Sequence, residues 1–79
     1  MKCLVVDDEA LARQRLLRLL SRLEPGSQCF EADNGEQALA LVEQEQPDLL
    51  LLDIRMPGMD GIAVAEALEA LEQPPAVVI

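Results

Sequence analysis

Pro47-Asp48-Leu49-Leu50-Leu51-Leu52-Asp53-Ile54-Arg55-Met56-Pro57-Gly58-Met59-Asp60-Gly61 is the stretch that decides how this chain folds. Four consecutive leucines read as a strand covered on both faces. The Pro57-Gly58 and Asp60-Gly61 pairs read as the loop that follows it. Between strand and loop stands Asp53. A carboxylate delivered to the end of a buried strand carries a desolvation cost that a merely structural charge has no reason to bear, so it marks a candidate site. The same grammar occurs near the start, where Leu4-Val5-Val6 runs into Asp7-Asp8-Glu9. Two such strand ends converging make an acidic cup.

Working outward, residues 2–7 form a near-continuous apolar and β-branched run, the first strand. From Glu9 to Leu23 the residues Ala12, Leu16, Leu19, Leu20 and Leu23 recur at spacings of three and four, which predicts a helix with that stripe buried. Glu9 suits its positive N-terminal end. Pro25-Gly26 stops it, and Gln28-Cys29-Phe30-Glu31-Ala32 is read as a short second strand from its place between two helices. Asn34, followed three residues later by Gln37, has the form of a capping box. It opens a helix running to about Gln46, with Ala38, Leu39, Leu41 and Val42 toward the core. After the leucine strand, Ile62 to Leu71 repeats the helical period through Ala65 and Leu68, and Ala76-Val77-Val78-Ile79 begins a fourth strand. Strands alternating with helices at this pace predict right-handed crossovers and a doubly wound parallel sheet of the α/β class. In such sheets ligands gather beyond the carboxyl ends of the strands, where Asp7, Asp8 and Asp53 fall.

The chain has 79 residues, enough for one small domain. Half of them are hydrophobic, but Phe30 is the sole aromatic, so the core is built of Leu, Val, Ile and Ala. A net charge of −9 argues against direct affinity for nucleic acid or an anionic membrane and favours cations or basic partners. No run approaches the roughly 20 apolar residues needed to span a bilayer, and the first residues are too short a run for a secretory signal. A cytoplasmic location is therefore expected. Cys3 and Cys29 lie far apart in the sequence without a C-x-x-C motif or any histidine, and read as buried thiols rather than a redox or metal pair.

Carboxylates brought this close repel one another, and a divalent cation removes the conflict. Hard oxygen donors with no His or Cys beside them favour Mg²⁺ or Mn²⁺ over zinc. Magnesium uses one or two carboxylates plus a phosphate, and an Asp carboxylate is a competent nucleophile toward phosphorus.

Val5-Val6-Asp7-Asp8-Glu9, Asn34-Gly35-Glu36-Gln37-Ala38-Leu39 and the 47–61 stretch together resemble the receiver domain of two-component response regulators, in order and along the whole chain. An acidic pair ending the first strand and a D-x-x-M-P-x-x-D-G stretch after the third are jointly specific. The resemblance implies a flavodoxin-like fold. It makes Asp53 the phosphoacceptor for a phosphohistidine on a sensor histidine kinase. Asp8 is implied as a direct Mg²⁺ ligand, Asp7 as a ligand mainly through water, and Arg55 as a ligand through its backbone carbonyl. Met56, Pro57 and Gly58 would shape the loop, and Gly61 would admit a tight approach into the third helix. Glu9 either tunes the cup or simply serves the helix end. Asp8-Glu9-Ala10-Leu11-Ala12-Arg13 with Asp53-Ile54-Arg55-Met56-Pro57-Gly58 is similar to regulators that carry a LytTR-type DNA-binding domain, so DNA would be reached only through an effector domain absent from these residues. Such a module is a switch rather than a turnover enzyme, with slow autophosphorylation from small phosphodonors.

The resemblance also defines departures. A full receiver ends its fourth strand in Thr or Ser and its fifth in Lys, the groups that read the bound phosphoryl. Neither is present, and the only lysine, Lys2, is at the wrong end of the first strand. Residues 1–79 would thus be an incomplete receiver, lacking the end of the fourth strand, the fourth helix, the fifth strand and the fifth helix. Truncation is favoured over a natural small receiver, and an open edge would promote self-association or element swapping. Arg13, Arg15, Arg18 and Arg22, four of the six basic residues, fall on the first helix. Arg15, Arg18 and Arg22 either steer a kinase or form a solvated face. The alternative function is a pseudo-receiver or interaction fragment without a working switch. A haloacid-dehalogenase-like phosphohydrolase needs a D-x-D pair, and Asp7-Asp8 has the wrong spacing.

Overall fold

The computed structural model describes residues 1–53, 61–71 and 74–78. In chain order the elements are β1 (Lys2–Val6), α1 (Ala10–Leu23), β2 (Gln28–Ala32), α2 (Gly35–Glu45), β3 (Leu49–Leu52), α3 (Gly61–Glu69) and β4 (Ala76–Val78). The strands form one parallel sheet in the order β2-β1-β3-β4. The chain winds outward from β1 in one direction and then, after β2, crosses back to the other side, the doubly wound arrangement expected of this alternation.

Strand residues alternate between two hydrophobic cores. Leu4, Val6, Leu50 and Leu52 face α2 and α3, where they pack with Ala38, Val42, Val64 and Leu68. Cys3 and Val5 face α1 and pack with Leu20, flanked by the half-buried Leu16, Leu17, Cys29, Leu49 and Leu51. The unbroken apolar character of β1 and β3 follows from this double covering. Covering is unequal, however. On β3 the α2/α3-facing leucines are buried while Leu49 and Leu51 are half-buried, and on β4 Val77 is half-buried but Val78 is exposed.

Local chemistry sets the helix ends. Gln37 N–H donates to Asn34 Oδ1 at 2.8 Å, and the Gln37 side chain returns to accept from Asp33 N–H at 3.0 Å. This is the expected capping box, with the return bond made one residue further back. Helix α2 closes on Gln46 in the left-handed conformation, φ 50°, immediately before Pro47. After α1, Gly26 takes φ 91°, a conformation that suits glycine and turns the chain into β2.

The predicted apolar stripe of α1 requires correction. Leu20 is buried and Ala12 and Leu16 are half-buried, but Leu19 and Leu23 are 50% and 66% exposed. The packed line runs instead through Arg13, Leu16, Leu17 and Leu20, an i, i+3, i+4, i+7 set. With leucine at 11, 16, 17, 19, 20 and 23, spacing alone admits more than one stripe, and the twist of the sheet chooses between them. On α3 the buried line includes Val64 beside Leu68, with Ala65 only half-buried. Leu20→Ala is therefore expected to lower the unfolding free energy by about 2–3 kcal/mol, whereas Leu19→Ala changes it by less than about 0.5 kcal/mol. Urea denaturation of the two variants measures both, and equal losses would reject this orientation of α1.

Candidate metal and phosphoryl site

Two backbone hydrogen bonds carry the acidic residues to one edge of the sheet. Asp7 N–H donates to Ala32 O at 3.1 Å, prolonging the β1–β2 ladder by one residue. Asp53 N–H donates to Val6 O at 2.9 Å, prolonging the β1–β3 ladder in the same way. Both aspartates thus sit one step past the last strand residue, where the sheet still fixes the main chain but the side chains have left the core. Asp8 follows at the bend into α1 and is exposed, while Asp7 and Asp53 are half-buried.

One carboxylate oxygen from each of Asp7, Asp8 and Asp53 lies within 4.8 Å of the others. Three of the residues expected at the cup are therefore brought together. The donor set is all carboxylate oxygen, which suits a hard divalent cation such as Mg²⁺. Arg55, expected to offer a backbone carbonyl, lies outside the described residues, as do Met56, Pro57 and Gly58. Gly61 is the first residue of α3. Glu9 occupies the N-cap position of α1 without a side-chain capping bond. Its N–H donates to Asp7 Oδ1 at 2.9 Å, a short Asx-type turn that holds one Asp7 oxygen and bends the chain from strand into helix. The N-terminal end of α1, with no acidic residue in its first turn, then lies next to the cup, where its positive dipole end favours the negative side chains.

Arg13 lies on the same helix as the basic Arg15, Arg18 and Arg22 but has a separate place in the structure. Its Nη1 donates to the backbone oxygen of Asp7 at 2.8 Å, and its Nε donates to Glu31 Oε1 at 2.8 Å. The Arg13 side chain is 15% exposed against 51% for Glu31, so the guanidinium is tucked under α1 while its partner faces water. A single side chain thereby ties α1, β2 and the strand end that carries the acidic pair. The signal was present in the sequence: Arg13 stands on the same helical line as Leu16, Leu17 and Leu20, and a charge on a packed face needs a partner. Arg15, Arg18 and Arg22 are exposed.

A shallow hollow of about 240 Å³ adjoins the cup, lined by Leu16, Leu51, Val78 and the strand ends at Val6–Asp7 and Leu52–Asp53. Apolar walls beside a carboxylate lower the local dielectric and strengthen its interaction with any bound charge. Lys2 lies at the other edge of the sheet. Its Nζ donates to Glu45 O at 3.2 Å and pairs with Glu45 Oε1 at 3.6 Å, and its N–H donates to Asp48 Oδ2. As expected, it takes no part in the cup.

Residues 3–79 match the family model described as the response regulator receiver domain. Over 99% of its length the chain is 54% identical to the positive alginate biosynthesis regulatory protein of Pseudomonas aeruginosa, and over 99% it is 40% identical to the sensory transduction protein LytT of Bacillus subtilis. It spans 32% of each of those relatives. Among solved structures, the signal receiver domain of NarL from Mycobacterium tuberculosis superposes with a TM-score of 0.86 at 44% identity, covering 96% of this chain and 61% of that one. A parallel sheet in the order β2-β1-β3-β4, an acidic cup at its carboxyl edge and a family match along nearly the entire sequence lead to one conclusion: the chain belongs to the response regulator receiver domain family.

Proposed function

We propose that this chain is the phosphoacceptor part of a two-component response regulator, with Asp53 as the nucleophile and Asp7, Asp8 and Asp53 as the residues that hold Mg²⁺. The observation that carries this reading is the meeting of the three carboxylates at the carboxyl edge of the sheet. Asp53 is the strongest nucleophile candidate of the three. It directly follows strand β3 at the position the resemblance gives to the phosphoacceptor, is half-buried and flanks the apolar hollow, whereas Asp8 is exposed. The donor phosphohistidine belongs to a sensor histidine kinase. An Asp53 oxygen attacks phosphorus, the P–N bond breaks, and an acyl phosphate forms on Asp53. Mg²⁺ bound at this cup would neutralise charge on the incoming phosphoryl oxygens.

The chain's other residues prepare that step. Ladder bonds from Asp7 and Asp53 fix the two strand ends, and Arg13 clamps the Asp7 main chain, so the carboxylates converge before any ligand arrives. The Arg55 carbonyl remains a proposed further ligand, by resemblance alone. Exposed Arg15, Arg18 and Arg22 give α1 a basic face suited to steering an acidic surface of the kinase. Residues 1–79 are proposed to be the first part of a receiver, supported by their covering 61% of the NarL receiver. An effector acting on transcription would belong to the remainder of a longer protein, in line with relatives about three times as long. Among the described residues no helix is long and apolar enough to cross a membrane, in keeping with a cytoplasmic signalling role.

Incubation with Mg²⁺ and acetyl phosphate is expected to give an alkali-labile phosphoryl adduct by intact mass, absent from Asp53→Asn. An unmodified wild type would reject the phosphoacceptor reading and leave an interaction module. Asp8→Asn removes one of the three carboxylate charges that would hold the cation, worth about 1–4 kcal/mol, so calorimetric titration should show Mg²⁺ binding weakened by at least about fivefold. Arg13→Ala should lower the unfolding free energy by about 1–2 kcal/mol through loss of its part-buried bond. Arg13→Lys should recover only part of that loss, because one ammonium cannot reproduce the two-way fork. Urea denaturation of both variants checks the order.

A further inference from the structure

We propose that Cys3 and Cys29 form an oxidisable dithiol, closed to a disulfide across β1 and β2 by a low-molecular-weight disulfide of the glutathione class. The two residues are register partners in the parallel β1–β2 pair. Adjacent strands lie about 4.8 Å apart, inside the range of about 4.4–6.8 Å over which Cα atoms are bridged by a disulfide. Both side chains project to the α1 side of the sheet, into one apolar cluster with Val5 and Leu20. Both are free thiols, Cys3 buried and Cys29 half-buried.

The environments differ in a way that assigns an order to the chemistry. Burial pushes the Cys3 thiol up from its ordinary value, and the adjoining Cys29 thiol adds to the shift. Cys29 is the less buried residue of the two, and Ser27 Oγ lies 3.7 Å from its Sγ. The Cys29 thiolate attacks one sulfur of the reagent, forming a mixed disulfide and expelling one reagent thiolate. Cys3 then gives up its proton and attacks Cys29 Sγ. The protein S–S bond forms, and the second reagent sulfur departs as a thiol carrying that proton. Two protein thiols are oxidised and one reagent disulfide is reduced to two thiols.

A disulfide made by exchange with a low-molecular-weight disulfide is opened again by the corresponding thiol, the behaviour of a reversible modification. It would lie directly beneath α1, fastening the two strands whose ends Arg13 joins. The site is independent of the phosphoacceptor reading.

The test equilibrates the folded protein with oxidised glutathione, quenches in acid and maps tryptic peptides without reduction. Cleavage after Lys2, Arg13, Arg22 and Arg55 places Cys3 and Cys29 on separate peptides, 3–13 and 23–55. The expected product is a monomer that has lost the mass of two hydrogen atoms, with those peptides joined. Cys3→Ala should stop at a stable glutathione adduct on Cys29, and Cys29→Ala should remain unmodified while folded. Unreacted thiols, a lasting adduct on the wild type or a disulfide between two chains would each overturn the proposal. The wild-type map decides alone if either variant fails to fold.

Discussion

The parallel pairing of β1 with β3, and its extension by one residue through Asp53 N–H to Val6 O, is the constraint on which the rest of the molecule depends. Backbone groups in a buried sheet have no water to satisfy them, so once Val6 and Leu52 are neighbours the next residue of each strand is placed with little freedom. Those next residues are Asp7 and Asp53. Ladder geometry, rather than attraction among side chains, brings like charges together, and the hydrophobic cores on both faces hold the arrangement against their repulsion. An acidic cup follows from a backbone rule and two short sequence runs.

Much of this was legible in the sequence because period and punctuation are local. The four leucines before Asp53, the apolar run before Asp7 and the Asn34/Gln37 cap each announce themselves within a few residues, and the observed elements fall where those signals put them. The cup was legible for a related reason: a strand end is a local feature, and topology supplies the convergence. Other features depend on register or sheet twist, which no local window contains. Leucine-rich α1 offered several apolar lines, and only packing against β1 and β2 selects Leu16, Leu17 and Leu20 over Leu19 and Leu23. Val64 is not singled out by the helical period because α3 is apolar on several sides, and Ala65 with Leu68 satisfies that period equally well. Cys3 and Cys29 looked unrelated until the β1–β2 register set them side by side. Arg13 carried a readable signal, a charge on an apolar line, that grouping by charge concealed.

Helix α1 joins the packing of one sheet face to the geometry of the cup. Among the described residues the opposite face is covered by α2 and α3 together, whereas the face bearing Cys3, Val5, Leu49 and Leu51 packs against α1. Leu49 and Leu51 are half-buried there. The same helix presents its N-terminal end to the cup and sends Arg13 back to the Asp7 main chain.

These roles are coupled because they occupy one line on the helix surface. Arg13, Leu16, Leu17 and Leu20 are successive positions of a single stripe, so a rotation of α1 that relieved packing at Leu20 would also move the guanidinium from Asp7 O and Glu31. Interiors packed at crystal-like density do not absorb such a rotation smoothly. The helix is held in register by apolar contacts at one end and charge-assisted hydrogen bonds at the other, and either set alone leaves the other strained. The precision of the acidic cup therefore rests partly on leucines that offer it no ligand. Conversely, the polar clamp at Arg13 helps decide which of the many leucines on α1 are buried.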